Sequence, residues 1–221
     1  MEGAGARLAP RPRTRAGRAR ATAAMLASEY PGSAEELCAL RFCNPFELLV
    51  ATILSAQCTD ERVNQVTPGL FSAYPDPAAL AHAEPGELEE RIRPTGFFRS
   101  KTRSLIGMAV AVTDRFAGMV PCQMEDLTSL PGVGRKTANV VRSVAFGVPG
   151  LPVDTHVRRL SGRLDLAGSD EPEAIEAELG GYLPPREWGA LSLRLILHGR
   201  RVCVARVPRC PECLLAGFCP S

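Results

Sequence analysis

The chain is 221 residues long, 45% hydrophobic and 23% charged, which suits one large or two small globular domains. Aromatic residues make up only 5%, too few for a broad base-stacking surface, and no apolar run approaches the roughly 20 residues of a membrane span. Of the formal charge of +2, residues 1–20 carry +5 (six arginines against Glu2), so the rest of the chain stands at −3 and bulk charge does not argue for a polyanionic partner.

Residues 1–20 are rich in Arg, Pro, Gly and Ala and poor in larger aliphatic side chains. Such a stretch cannot bury enough to order itself, so a disordered basic arm is expected. It either adds non-specific phosphate attraction or has no task. An Arg-rich, acid-poor transit segment is a further option, but amphipathic spacing is lacking.

From Ala21 onward the pattern is helical. Asn44-Pro45-Phe46-Glu47 reads as N-cap, proline at the first helical position, and an acid in the first turn. The predicted helix runs through PFELLVATILSAQCTDERV and ends in the polar run Gln57 to Glu61. Gln57 there either faces a cleft or bonds local backbone. Short helices are expected at 63–73, 76–83 and 85–92. Arg93 to Lys101 then forms a loop into a helix over 101–117. Two adjacent phenylalanines in that loop, Phe97 and Phe98, cannot both point into one core. Either one stands out as a wedge or both cap the helix start. Nothing alternates with period two, and no repeat is visible, so the fold class is all-α.

The stretch Leu127 to Asp154 carries the chemistry. Leu127 to Leu130 begins a short helix, Pro131-Gly132-Val133-Gly134 is a turn, and a second helix spans 135–146. Gly132 and Gly134 allow backbone angles that side chains forbid and let a phosphate approach. Amides at the head of the second helix face that phosphate, helped by the helix dipole. With Leu127, Leu130, Val133, Ala138 and Val141 packing inside, this is the pattern of a helix-hairpin-helix, which grips a nucleic-acid backbone without reading sequence. The alternative is a plain helical hairpin turn.

Of 26 basic residues only Lys101 and Lys136 are lysines. Arginine keeps its proton, whereas a lysine amine can lose one and form a Schiff base, so Lys136 invites a covalent reading beside that of an ordinary surface lysine. About 12 residues of helix at 1.5 Å each span ~18 Å. The proline- and glycine-rich return segment 147–153 reaches up to ~23 Å. That is enough to bring Asp154 back beside Lys136. Asp154 is also the expected N-cap of a helix over 155–164. A carboxylate held by helix-head amides is what a developing sugar cation needs opposite it.

Eight cysteines fall into two sets. Cys38, Cys43, Cys58 and Cys122 are scattered, and free thiols in a reducing, cytoplasmic setting are expected. Cys203, Cys210, Cys213 and Cys219 are spaced C-x6-C-x2-C-x5-C. This suits a cubane iron–sulfur cluster; zinc and disulfides are the alternatives. Arg200, Arg201, Arg206 and Arg209 surround the set, so such a cluster would display arginines towards phosphate.

Together LPGVGRKTANVV, VDTHVRRL, LILHGR and the cysteine tail resemble the endonuclease III family of DNA glycosylases, over about residues 21–221. The resemblance implies a helix-hairpin-helix DNA glycosylase fold in two all-α parts with a DNA cleft between them. One is a six-helix barrel at 38–148 with the hairpin at 127–146. The other is a cluster domain joining the helix at 21–37 to residues 149–221. It implies Lys136 as nucleophile and Asp154 as essential carboxylate. Gln57 matches the residue that fills the gap left by a flipped base. Phe97 falls where the family inserts a second wedge, commonly leucine, and this departure bears on the choice of opposite base. Gly132, Val133, Gly134, Arg135, Lys101 and Arg206 are the further expected DNA contacts. The four C-terminal cysteines are the expected ligands of a 4Fe-4S cluster. The implied activity is removal of oxidised pyrimidines from duplex DNA with β-elimination at the abasic site, by a monomer associated with the bacterial nucleoid. Rival readings are a monofunctional adenine-type relative, which lacks a lysine here, and a non-catalytic iron–sulfur DNA-binding protein. Cys58 is unusual within its motif.

Overall fold

The computed structural model describes residues 12–221; the part of the expected arm at residues 1–11 lies outside the described residues. All regular structure among the described residues is helical. The α-helices are α1 (Arg15–Glu29), α2 (Ala34–Leu37), α3 (Pro45–Leu54), α4 (Asp60–Ala73), α5 (Pro77–Ala81), α6 (Pro85–Ile92), α7 (Phe98–Phe116), α8 (Met124–Thr128), α9 (Arg135–Ala145), α10 (Thr155–Arg163), α11 (Pro172–Tyr182) and α12 (Trp188–Arg201). No helix among them is long and apolar enough to cross a membrane.

The chain divides into two compact units. The first joins the described part of Met1–Pro31 to Val153–Pro184 and Arg194–Ser221. The second holds Gly32–Pro152 and Pro185–Leu193. The segment 185–193, assigned above to the cluster domain, thus packs with the other unit.

In the second unit α3 is the centre. Every residue from Phe46 to Leu54 except Glu47 is buried, so this helix is apolar all round rather than on one face. It packs against α4, α7 and α9. Burying each of Leu48, Leu49 and Leu54 contributes about 1.5–3 kcal/mol. Its start is as expected: the Asn44 side chain accepts from the Glu47 amide at 2.9 Å, and Pro45 follows. Its end is not. The helix stops at Leu54, Gln57 takes a left-handed φ of +53°, and α4 restarts at Asp60. Thr59 caps α4, accepting from the Arg62 amide at 3.3 Å, with Asp60 and Glu61 in the first turn. Thr-Asp-Glu is a helix-start signal that the apolar periodicity overran. Gln57 therefore stands on an exposed turn and not within a helix.

The return segment after α9 is non-helical and runs back along it, as its prolines and glycines imply. The Val148 amide donates to the Arg142 carbonyl at 3.0 Å, and the Asn139 side chain donates to the Leu151 carbonyl at 3.4 Å. A β-carbon at Gly150 would meet the Asn139 carbonyl oxygen at 2.6 Å, so only glycine fits that crossing. The Ser192 hydroxyl then bonds the Pro152 carbonyl.

In the first unit the expected disordered arm needs correction. Helix α1 begins at Arg15, capped by Thr14, and so includes residues 15–20. The expectation rested on the scarcity of larger aliphatic side chains and left alanine burial and arginine pairing out. In the structure Arg15 and Arg18 both bond Asp165, and Arg20 bonds the Tyr182 carbonyl at 3.1 Å. Ala19, Ala23 and Leu26 are buried. These three arginines are thus engaged within the protein. Helix α11 packs on both α1 and α10.

Candidate active site and cysteine pocket

The hairpin forms as its spacing implies. Leu127, Leu130, Val133, Ala138 and Val141 are all buried where α8 meets α9. The Val133 amide donates to the Leu130 carbonyl at 3.1 Å and closes the turn. With its side chain inward and its amide bonded, Val133 is a core residue of the hairpin. Gly134 is the N-cap of α9 and supplies no side chain to occupy the first-turn amides, which have no partner within the helix. Arg135 and Lys136 lie exposed in that turn.

The two hairpin glycines differ. Gly132 sits at φ +78°, and a β-carbon there would meet the Ser104 β-carbon at 2.5 Å. Gly134 has open space around it. Gly132→Ala is therefore expected to destabilise by about 2–4 kcal/mol and lower Tm by roughly 5–10 °C. Gly134→Ala should shift Tm by no more than about 2 °C. Thermal melts of the two variants check this; equal shifts would contradict it.

Gln57, Phe97, Lys101 and Gly132 line one cavity of about 260 Å³, with Ser100 and Ser104. Phe97 is 65% exposed, whereas Phe98 is half-buried under the Arg93 guanidinium, 4.8 Å from its ring centre. One phenylalanine stands out and the other packs. Lys101 is only 5% exposed, and its amine donates at 2.8 Å to both the Leu54 and the Thr95 carbonyls. Its charge is thus engaged with backbone inside the unit. Helix α7 starts three residues earlier than expected, at Phe98, and so carries Lys101 inward.

Asp154 belongs to the first unit, and Lys136 to the second. Asp154 caps α10: its Oδ1 accepts from the His156 and Val157 amides at 2.8 and 2.9 Å. The far end of α10 meets the cysteine loop. Arg163 donates to the Cys203 sulfur at 3.3 Å and to the Val204 and Ala205 carbonyls at 2.8 and 2.7 Å. Arg159 bonds the Gly199 and Cys203 carbonyls. Arg206 is exposed on that loop.

Cys203, Cys210, Cys213 and Cys219 line a single cavity of about 180 Å³, and all eight cysteines are free thiols. Among the described residues no three His, Cys, Asp or Glu side chains gather closely enough to hold one metal ion. The donors are spread around a cavity, unlike the tight tetrahedron of a single zinc. Burial pushes the Cys213 thiol up, and the other three cysteines add to this, so four thiolates here need a compensating cationic group. The buried His198 lies with Nε2 3.3 Å from the Cys213 sulfur and Nδ1 3.3 Å from the Tyr30 hydroxyl. Burial lowers its pKa, which favours a neutral ring. With the hydroxyl donating to Nδ1, the Nε2–H points at sulfur. This donor set fits an iron–sulfur cluster, whose thiolates accept such hydrogen bonds. No role was expected for Arg159, Arg163 or His198, although Arg159 stands in VDTHVRRL, Arg163 three residues beyond it, and His198 in LILHGR. A basic or imidazole side chain in a helix facing a cysteine loop was the available signal.

Comparison with known proteins agrees with this geometry. The HhH-GPD superfamily base excision DNA repair protein family matches residues 50–185. Endonuclease III of Synechocystis sp. is 53% identical over 193 residues, 87% of each chain. Endonuclease III of Bacillus subtilis is 44% identical over 183 residues, 82% of this chain and 84% of that one. The solved structure of a non-covalent endonuclease III–DNA complex superposes with a TM-score of 0.87 at 42% identity, covering 93% of this chain and 95% of that one. A trapped endonuclease III–DNA covalent intermediate gives the same values. With its hairpin, its caps and its cysteine pocket in this order, the chain belongs to the endonuclease III family, within the HhH-GPD superfamily of base excision DNA repair proteins.

Proposed function

We propose that this protein is a bifunctional DNA glycosylase and abasic-site lyase that removes oxidised pyrimidines from duplex DNA and cuts the strand 3′ to the abasic site. The observation that carries the reading is the fate of the two lysines. Lys101 is buried with its amine bonded to backbone, and Lys136 is exposed in the first turn of the hairpin's second helix. The related endonuclease III that was trapped as a covalent DNA intermediate supports a covalent nucleophile.

The first-turn amides of α9 hold a backbone phosphate, with the Arg135 side chain beside them. Gln57 and Phe97 fill the gap left when the damaged base leaves the stack. The neutral Lys136 amine attacks the anomeric carbon, the glycosidic bond breaks, and the base departs with a proton. Asp154, kept in place by two amides, offsets positive charge on the sugar. The amine, left with one N–H proton, then expels the ring oxygen, which takes up a proton as the sugar C1′–O4′ bond breaks, and the result is a cationic Schiff base. That cation makes the neighbouring sugar C–H acidic, and its loss expels the 3′ phosphate. Cys203, Cys210, Cys213 and Cys219 hold a 4Fe-4S cluster that cross-links the tail, while Arg206 and its neighbours face phosphate.

The test is a panel of duplexes, each with one oxidised pyrimidine, scored separately for base release and strand cleavage. Release and cleavage at matched rates are expected. Base release that leaves the strand intact would show a monofunctional enzyme, and binding with neither would show a non-catalytic one.

A further inference from the structure

Gln57 and Phe97 share an unusual backbone state. Neither is glycine, yet Gln57 has φ +53° and Phe97 has φ +49°. L side chains enter this region only at a cost, and the strain persists where the surroundings over-determine it. Both side chains are exposed on the rim of one cavity. What holds the two turns is therefore a physical question.

Lys101 answers it. Its amine reaches the Leu54 carbonyl at 2.8 Å and the Thr95 carbonyl at 2.8 Å. Leu54 is the last residue of α3, three positions before Gln57. Thr95 ends a 3-10 turn, two positions before Phe97. One ammonium group thus ties the ends of two elements that share no chain connection shorter than a whole helix hairpin. Carbonyls at a helix C-terminus lack partners within the helix and carry partial negative charge, so a cation suits them. The Thr95 hydroxyl adds a bond to the Ile92 carbonyl at 2.8 Å, which fixes the second turn from its other side. Burial lowers the Lys101 pKa, so the two carbonyl acceptors are what hold the amine there. The residue type also fits. In a chain with 24 arginines this position keeps a lysine. A compact ammonium can serve two carbonyls on different elements, whereas a planar guanidinium fork needs more room and a flatter pair of acceptors.

We infer that Lys101 is a positioning residue that clamps the Gln57 and Phe97 turns into one two-pronged wedge, and acts on opening of the DNA stack rather than on bond cleavage. This rests on the glycosylase reading, in which those side chains enter the duplex. Helix α7 is the common base: Lys101 holds the two prongs, and Ser104, one turn on, touches the hairpin at Gly132. The prongs and the hairpin are thereby placed in register from a single helix.

A double-variant cycle tests it. The variants are Lys101→Met, Gln57→Ala with Phe97→Ala, and the three combined. Each is assayed for single-turnover lesion removal from duplex DNA and for cleavage of a preformed abasic site in single-stranded DNA, which needs the chemistry but no wedge. A 2-aminopurine opposite the lesion reports stack opening by fluorescence. Lys101→Met is expected to slow lesion removal about ten-fold or more, to keep single-strand cleavage within about two-fold, and to blunt the fluorescence rise. Added to the wedge deletion it should cost nothing further. Should Lys101→Met melt below the assay temperature, Lys101→Gln, which keeps a donor for one carbonyl, takes its place. Additive losses, or a parallel loss of single-strand cleavage, overturn the clamp. If the wedge deletion slows removal and Lys101→Met does not, the clamp alone fails. If the wedge deletion has no effect, the wedge reading fails and the clamp goes with it.

Discussion

Lys136→Gln is expected to abolish borohydride trapping on a lesion-containing duplex and to reduce strand cleavage by roughly three orders of magnitude or more. Binding of the same duplex should stay within a few-fold, because the backbone amides of α9 remain. Stability should hardly change, since Lys136 is exposed and glutamine suits a helix almost as well. The measurement is a gel-resolved adduct beside a cleavage time course and a thermal melt. An active Lys136→Gln variant that still forms the adduct would falsify the assignment. The alternatives are narrow: Lys101, whose amine is bonded to two carbonyls, or the chain's own amino terminus.

Asp154 allows a cleaner separation of two roles in one side chain. Its Oδ1 accepts from the His156 and Val157 amides, which any N-cap oxygen could do. Asparagine is about as good an N-cap as aspartate but carries no charge. Asp154→Asn is therefore expected to keep Tm within about 2 °C while lowering base release by roughly 10²–10³-fold. Asp154→Ala should lose activity similarly and about 1 kcal/mol of stability besides. Melts and single-turnover base release on both variants check this. If asparagine restores activity as well as stability, the carboxylate is only a cap.

What could be read beforehand divides by range. The hairpin, the Asn44 cap, the Asp154 cap and the non-helical return segment are local features, written in residues a few positions apart. They appear where expected because glycine, proline and capping side chains act on their own neighbourhood. The misses all depended on distant partners or on competing local signals. The helix at Arg15 forms against Asp165, far along the chain. The burial of the Lys101 amine depends on α3 and the Thr95 turn, both far from it in the chain or on another element. The break at Gln57 was masked because an apolar stripe outweighed the Thr59 cap, and no glycine announced the left-handed turn. The cysteine spacing was legible beforehand, but the arginines and histidine that grip the loop were visible only once α10 and α12 had been placed in space.

Helix α10 has a mechanical meaning. Asp154 caps its head, and at its tail Arg163 donates to the Cys203 sulfur while its own carbonyl accepts from Cys219 and Ser221. Nine residues make a rod of about 13 Å. A swing of about 10° at the tail moves the head by about 2 Å, and displacements of that order at a reacting group are felt a hundred-fold in rate. The rod thus converts slackness in the cysteine loop into misalignment of a carboxylate. On the proposal that the four cysteines hold a cluster, its loss is expected to leave every residue proposed to touch DNA in the chain and still lower catalysis, for reasons of leverage rather than redox chemistry.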